Sequence, residues 1–437
     1  MTEPLKRTLG SRDLTLLVVG NVIGSGIFLV PAAVMRQSGE SVPIAVTVWL
    51  VGGLLSLLGA LSYAELGSMD PEAGGLYAYI RDAFGPFPAF LYGWTLFFVI
   101  GAGTIAALSV AAANYVTQLM PLSAIGKQVV SVTLIAVMAV INVRGTREST
   151  SVQNVTTGIK VLAIVVMSGL LIALGDGGAA AAEAVTPPAA AMSLTGVGLS
   201  VIAVLWAYEG WQYVTFVAGE AQDPQRTIPR ALITGTLLLI TIYVLANLAY
   251  VSALGTTRMA ASEAVAGEAV AKVLGATAGK AITIAIILSM YSAAHATVIT
   301  VPRVYFAMAR DGVFFRQLAT VHPRFGTPAL AVIASCVWAA VLALSGTFDQ
   351  LLTYVVFIGW IFYALGAAAV IALRRSRPLA PRPFRVPGYP VTPAVFVLAA
   401  AAIVVNTIMS QPLQAAIGIG MVLLGAPAYV LWRRPRT

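Results

Sequence analysis

Cysteine occurs once in the 437 residues, at Cys336, and histidine twice, at His295 and His322. That excludes a disulfide framework and a Cys-based zinc site, and two histidines are too few for a haem or a multi-histidine metal centre. Charge is also scarce: Asp, Glu, Lys and Arg make up 10% of the chain, against about 25% in a soluble domain. No His-x-x-x-His, no Cys pair and no paired Asp/Glu at ligand spacing occurs. Neither an enzyme nor a cofactor- or metal-dependent protein is therefore expected. An ion channel would need a selectivity filter or a ring of charge, and neither is visible.

What is present is apolar, at 59% of residues. Runs bounded by turn and charge signals lie near 13–35, 43–66, 86–118, 128–142, 155–174, 196–219, 230–254, 278–306, 328–345, 350–373, 391–410 and 413–432. Each approaches the roughly 20 residues that cross a bilayer as a helix. The expected fold class is an all-α polytopic membrane protein of about twelve transmembrane helices, with almost no extramembrane domain. The first run is not a cleavable leader: it carries Gly-Ser-Gly at its middle, lacks a small-x-small site, and further spans follow. The Ala-rich stretch Gly177 to Met192 reads as a flexible outer loop, and the Arg- and Pro-rich stretch Arg374 to Pro390 as a cytoplasmic connector.

The net charge of +9 is a topology signal. With the N-terminus inside, 20 of the 26 Lys and Arg residues fall on cytoplasmic segments, five fall outside, and Lys160 alone lies within a span. Both termini are expected in the cytoplasm of a cell (inner) membrane protein, with no nucleic-acid partner.

Two spans carry glycine at mid-membrane, where a helix must satisfy its own backbone. The first reads Gly20-Asn21-Val22-Ile23-Gly24-Ser25-Gly26-Ile27-Phe28, and the sixth Leu205-Trp206-Ala207-Tyr208-Glu209-Gly210-Trp211. A helix unwound there offers N–H groups on one half and carbonyls on the other, which suits a zwitterion. Gly20 and Gly24 also form a GxxxG pair, which packs helices closely. The second motif, five spans after the first, favours the binding reading, because an inverted five-helix repeat puts its two broken helices at that spacing.

These residues, with Ser62-Tyr63-Ala64-Glu65-Leu66, Pro71, Gly74-Gly75, Tyr77, Asp223-Pro224, Ile228-Pro229-Arg230, Pro302-Arg303 and Ala309-Arg310-Asp311-Gly312, resemble the amino acid–polyamine–organocation superfamily. The chain is most similar to its L-type amino acid transporter branch, which includes bacterial serine/threonine exchangers. The resemblance runs from about Arg7 to Arg434. It implies a leucine-transporter-type fold with a five-plus-five inverted repeat: repeats over 13–174 and 196–373, two more spans over 391–432, an N-terminal cytoplasmic segment 1–12 and a tail 433–437. By position it implies a substrate carboxylate on the N–H groups of Ser25 and Gly26 and the Ser25 hydroxyl. The α-ammonium would meet the carbonyls of Val22, Trp206 and Glu209, and Trp206 would close over the substrate as a gate. Ile23, Gly24, Ile27, Ala207, Tyr208 and Gly210 complete the implied site.

Lys160, about six residues into the fifth run, has two readings: its ammonium snorkels to the cytoplasmic surface, or it replaces the sodium ion of related symporters and ties the fifth span to the unwound first. The Glu209 side chain either meets substrate or pairs within the protein, and His295 either is hydrogen-bonded in the interior or handles substrate or protons. Glu65 and Arg81 read as gate or loop-fixing residues, and Asn21 as a partner for unwound backbone. The expected function is a sodium-independent exchanger of small or medium neutral L-amino acids working by alternating access. The alternative is a proton-coupled or cationic amino acid or polyamine carrier. Animal members of the branch join a glycoprotein subunit through a cysteine between spans three and four, and Pro121 to Lys127 holds none. No disulfide-linked heavy subunit is expected.

Overall fold

The computed structural model describes residues 5–176, 194–345 and 348–433. The stretch Gly177 to Met192, expected as an outer loop, lies outside the described residues. Helices account for nearly all described elements, and the only sheet-like pairing among these residues is a single parallel bridge between Leu9 and Ala221.

The glycine-marked first run forms two helices, α1 (Ser11–Val22) and α2 (Gly26–Gln37), bent by 48° at the break. Val42–Met69 follows as α3, then the surface helix α4 (Leu76–Phe84). Next comes one long span made of α5 (Pro86–Thr95), a wider π turn over Leu96–Gly101, and α6 (Ala102–Val116). Then come α7 (Ala124–Arg144) and α8 (Thr146–Leu174). The sixth run forms α9 (Leu194–Ala207) and, after a turn, a 3-10 helix over Trp211–Glu220. The rest are α10 (Pro224–Leu254), the short α11 (Thr256–Ala261) and α12 (Val265–Leu274), α13 (Ala276–Thr300), α14 (Pro302–Arg310), α15 (Ala329–Ser345), α16 (Phe348–Ser376), α17 (Val391–Ser410), α18 (Pro412–Leu423) and α19 (Gly425–Arg433).

Nine of these stretches are long and apolar enough to cross a membrane, or ten when α1 and α2 count as one bent span. The other two expected runs, near 196–219 and 328–345, fall on shorter apolar helices, α9 and α15. The chain is therefore an integral membrane protein. Its surface agrees: Val155, Ile159, Leu162 and Val166 on α8 point outward, an arrangement stable against lipid and unstable against water.

The fifth span begins earlier than its hydropathy suggests. Gly145 ends α7, and α8 starts at Thr146 rather than near 155. Its first turns carry Ser149, Thr150 and Gln153, polar residues buried inside the protein, so an apolar window misses them. Lys160 thus lies about 21 Å along the helix from Thr146, at about 1.5 Å per residue.

Packing places α1 inside the bundle. It is flanked by α8, α10 and α13, while α2 packs on α9, and α10 makes its largest contact with α3. The N-terminal segment crosses the end of the 3-10 helix: the N–H groups of Thr8 and Leu9 donate to the Glu220 carbonyl (2.9 and 3.0 Å), and that of Gln222 donates to Leu9 (2.8 Å).

Candidate functional site

The site is built around interrupted backbone. After Val22 the chain leaves the helix for Ile23, Gly24 and Ser25 before α2 starts at Gly26. Buried carbonyls released in this way need donors. Those of Gly20 and Ile23 receive the Lys160 ammonium at 2.8 and 2.6 Å. Those of Ile23 and Gly24 also receive the Ser289 hydroxyl at 3.1 and 3.0 Å. The Val22 carbonyl accepts from the Gly24 N–H at 2.8 Å and from the Tyr243 hydroxyl at 3.1 Å. Lys160 is 1% exposed, so its ammonium does not snorkel.

The donor side is different. Among the described residues, the N–H groups of Ser25, Gly26 and Ile27 at the start of α2 have no backbone acceptor, and the buried Ser25 hydroxyl has no partner. These groups form the positive end of the α2 dipole.

In the sixth span, α9 ends at Ala207 and the chain turns through Tyr208, Glu209 and Gly210. Gly210 adopts φ 114°, a left-handed conformation that favours glycine. The Ala207 carbonyl accepts from the same Tyr243 hydroxyl at 2.9 Å, so one side chain of α10 joins the ends of both broken helices. Gly26 brings them together: a Cβ there would stand 2.7 Å from the Cα and Cβ of Ala207.

Between the two breaks lies a small cavity of about 50 Å³. Of the residues expected at the site, Val22, Gly24, Ser25, Gly26, Trp206, Ala207 and Glu209 line it. Ile23, Ile27, Tyr208 and Gly210 do not. The two isoleucines are fully buried in the core, the Tyr208 ring packs against Trp49 and Tyr243, and Gly210 shapes the turn beside Asn21.

Asn21, Thr104, Ala107, Leu108 and Ala293 complete the lining. The last four come from α6 and α13 and were not expected, because small residues in an apolar run look like packing. Tyr243 and Ser289 were missed too, although a hydroxyl inside an apolar span is itself a signal of buried carbonyl partners.

Glu209 faces the cavity but also has partners in the protein: its Oε1 accepts from Gln212 Nε2 at 3.0 Å and from the Tyr363 hydroxyl. His295 lies elsewhere. Its Nδ1 is 3.1 Å from Gln153 Oε1 and its Nε2 3.3 Å from Ser149 Oγ, in a buried polar seam between α8 and α13. Glu65 accepts two bonds from Arg374 (2.8 and 2.6 Å). Arg81 pairs with Asp311 and Asp82, both at 2.9 Å. Among the described residues, no group of three His, Cys, Asp or Glu side chains is placed to hold a metal ion.

A helical membrane protein with a central cavity, framed by loose helix ends rather than by a nucleophile and base, is by class a transporter of small solutes. The chain belongs to the amino acid permease family, whose model matches residues 9–431. It is 31% identical over 428 residues to the serine/threonine exchanger SteT of Bacillus subtilis, covering 97% of this chain and 96% of that one. It is 33% identical over 441 residues to the human large neutral amino acids transporter small subunit 2, covering 98% and 80%. With the human cystine/glutamate transporter the identity is 32% over 440 residues, covering 97% and 87%. These relatives are transporters and exchangers, and this chain is an amino acid transporter, not an enzyme.

Proposed function

We propose that the protein exchanges small or medium neutral L-amino acids across the cell membrane by alternating access, without sodium. The observation that carries this reading is the division of the broken backbone. At the first break the carbonyls are satisfied from within, by Lys160, Ser289 and Tyr243, whereas the N–H groups of Ser25 and Gly26 and the Ser25 hydroxyl face the cavity unpartnered. A substrate carboxylate supplies the acceptor those donors lack. The α-ammonium goes to the second break, to the carbonyls of Trp206 and Glu209. The Val22 carbonyl joins them when Tyr243 turns its single hydrogen to Ala207. Trp206 closes over the bound substrate.

Lys160 supports a cycle without sodium. Its ammonium occupies carbonyls that a cation would otherwise need to neutralise, so a fixed charge does the work of an exchangeable one. The small lining residues Ala107 and Ala293 and the serine and threonine named for the Bacillus subtilis relative support a small or medium neutral side chain. The same reading takes residues 13–174 and 196–373 as inverted repeats, with 391–432 as two added spans and both termini cytoplasmic. A disulfide-linked partner does not fit, because the one cysteine, Cys336, is buried in α15.

A second reading rests on Glu209, whose carboxylate lines the cavity. It makes the protein a proton-coupled or cationic amino acid or polyamine carrier. Uptake of a labelled amino acid panel into proteoliposomes, with and without internal amino acid, separates the two. Uptake confined to preloaded vesicles, indifferent to sodium and to a proton gradient, is expected. Proton-driven accumulation in empty vesicles would establish the second reading instead.

A further inference from the structure

Away from the cavity, a second, open hollow of about 160 Å³ lies where α16 gives way to its connector, lined by Arg374, Pro378, Arg382 and Arg385. Two of its arginines are fixed in place. Arg374 grips the buried Glu65 and lies 3.9 Å from the centre of the Tyr389 ring. Arg382 donates to the carbonyls of Leu373 (3.0 Å), Arg377 (2.9 Å), Pro378 (3.3 Å) and Ala380 (2.8 Å), with Glu65 3.4 Å away. The Val386 N–H closes the clamp on Glu65 at 2.7 Å. Arg385 is exposed and makes no bond among the described residues. One carboxylate therefore answers two guanidinium groups, and Arg385 adds a third positive charge at the mouth.

The hollow sits beside a lipid-facing surface. Leu373 is the last apolar residue of α16, and α17 starts at Val391 with 20 residues, enough to cross the roughly 30 Å hydrocarbon layer at about 1.5 Å each. Arg374 and Arg385 are thus at headgroup depth. Below them Val391, Val395 and Leu398 form one outward row on α17, 64%, 40% and 68% exposed, and Leu379 at the connector tip is 96% exposed.

We propose that this hollow is a phosphate site filled by the headgroup of an anionic phospholipid, whose chains lie along the row of Val391, Val395 and Leu398. Planar guanidinium groups match phosphate oxygens in pairs, and a basic segment at the membrane surface gathers anionic lipid. The bound lipid neutralises the surplus charge and holds the connector against α3 through Glu65. The proposal is independent of the substrate reading.

Native mass spectrometry of the full chain in neutral detergent tests it, with phosphatidylglycerol or phosphatidylcholine added and thermal unfolding used to verify the fold. The parent should retain phosphatidylglycerol over phosphatidylcholine. Arg385→Gln should cut that retention about fivefold, the loss of about 1 kcal/mol from the one guanidinium at the mouth of the hollow. Arg375→Gln, on the same segment but outside the hollow, should leave retention unchanged. Equal retention of both lipids, or an Arg385→Gln protein that behaves like the parent, removes the site. Equal stabilisation by inorganic phosphate without lipid overturns the lipid as its occupant.

Discussion

Lys160 carries a charge in the middle of a membrane protein, and its surroundings explain how. It meets the C-terminal end of α1, where unpaired carbonyls and the helix dipole are both negative, so the ammonium replaces hydration with two short bonds. Lys160→Met keeps the stem and removes those bonds. It should lower thermal stability by leaving buried carbonyls unpaired, at about 1–3 kcal/mol, and should slow exchange more than it weakens substrate binding. Parallel turnover and binding measurements check this, and a parent-like turnover would separate Lys160 from the transport cycle. Tyr243→Phe tests the shared hydroxyl: losing one bond to Val22 and Ala207 should weaken binding by up to roughly tenfold with the fold intact. The sequence marked Lys160 because charge is rare in a span. Tyr243 was missed because its hydroxyl, although a signal in an apolar span, does not by itself name the carbonyls it reaches.

At the scale of elements, the two broken helices were readable because glycine motifs recur at mid-span five spans apart, a spacing that close packing alone does not call for. Gly26→Ala should abolish binding while the protein stays folded. Its Cβ would need the space of Ala207, 2.7 Å away, and would push the two breaks apart. Unchanged affinity in an equilibrium titration would take the first break out of the site. The π turn over Leu96–Gly101 was not readable, since its partners are distant in sequence. Tyr305 donates to the Leu96 carbonyl at 3.0 Å, and Trp338 Nε1 to that of Phe98 at 2.9 Å. Gly101 leaves room, because a Cβ there would stand 2.9 Å from both the Leu96 carbonyl oxygen and the Tyr305 hydroxyl. A π turn absorbs one extra residue and so resets the face that follows, here Thr104, Ala107 and Leu108. Trp338→Phe should therefore alter the ratio of affinities for small and large amino acids. A uniform loss across the panel would reduce Trp338 to packing.

Over the whole molecule, charge is distributed as unevenly in space as in sequence. Eight of the nine ion pairs among the described residues fall on segments assigned to the cytoplasmic side, and only Lys272 with Asp176 lies on the other. Five of them join elements far apart in the chain, among them Arg303 to Glu220 across α14 and the 3-10 helix and Arg374 to Glu65 across α16 and α3. Basic residues expected to orient the chain thus also tie its elements together on one face. Counting arginines in the sequence leads to the expected orientation, but their acidic partners follow only from the packing. The orientation itself is open to a direct test, because a Cys336→Ala chain has no thiol of its own. In that background, Leu379→Cys and Met120→Cys place single thiols at positions 96% and 55% exposed, on opposite expected sides. A membrane-impermeant maleimide should label Met120→Cys in intact cells and Leu379→Cys only in inside-out vesicles. The reverse pattern would invert the topology and put the arginine hollow, with its lipid, in the outer leaflet.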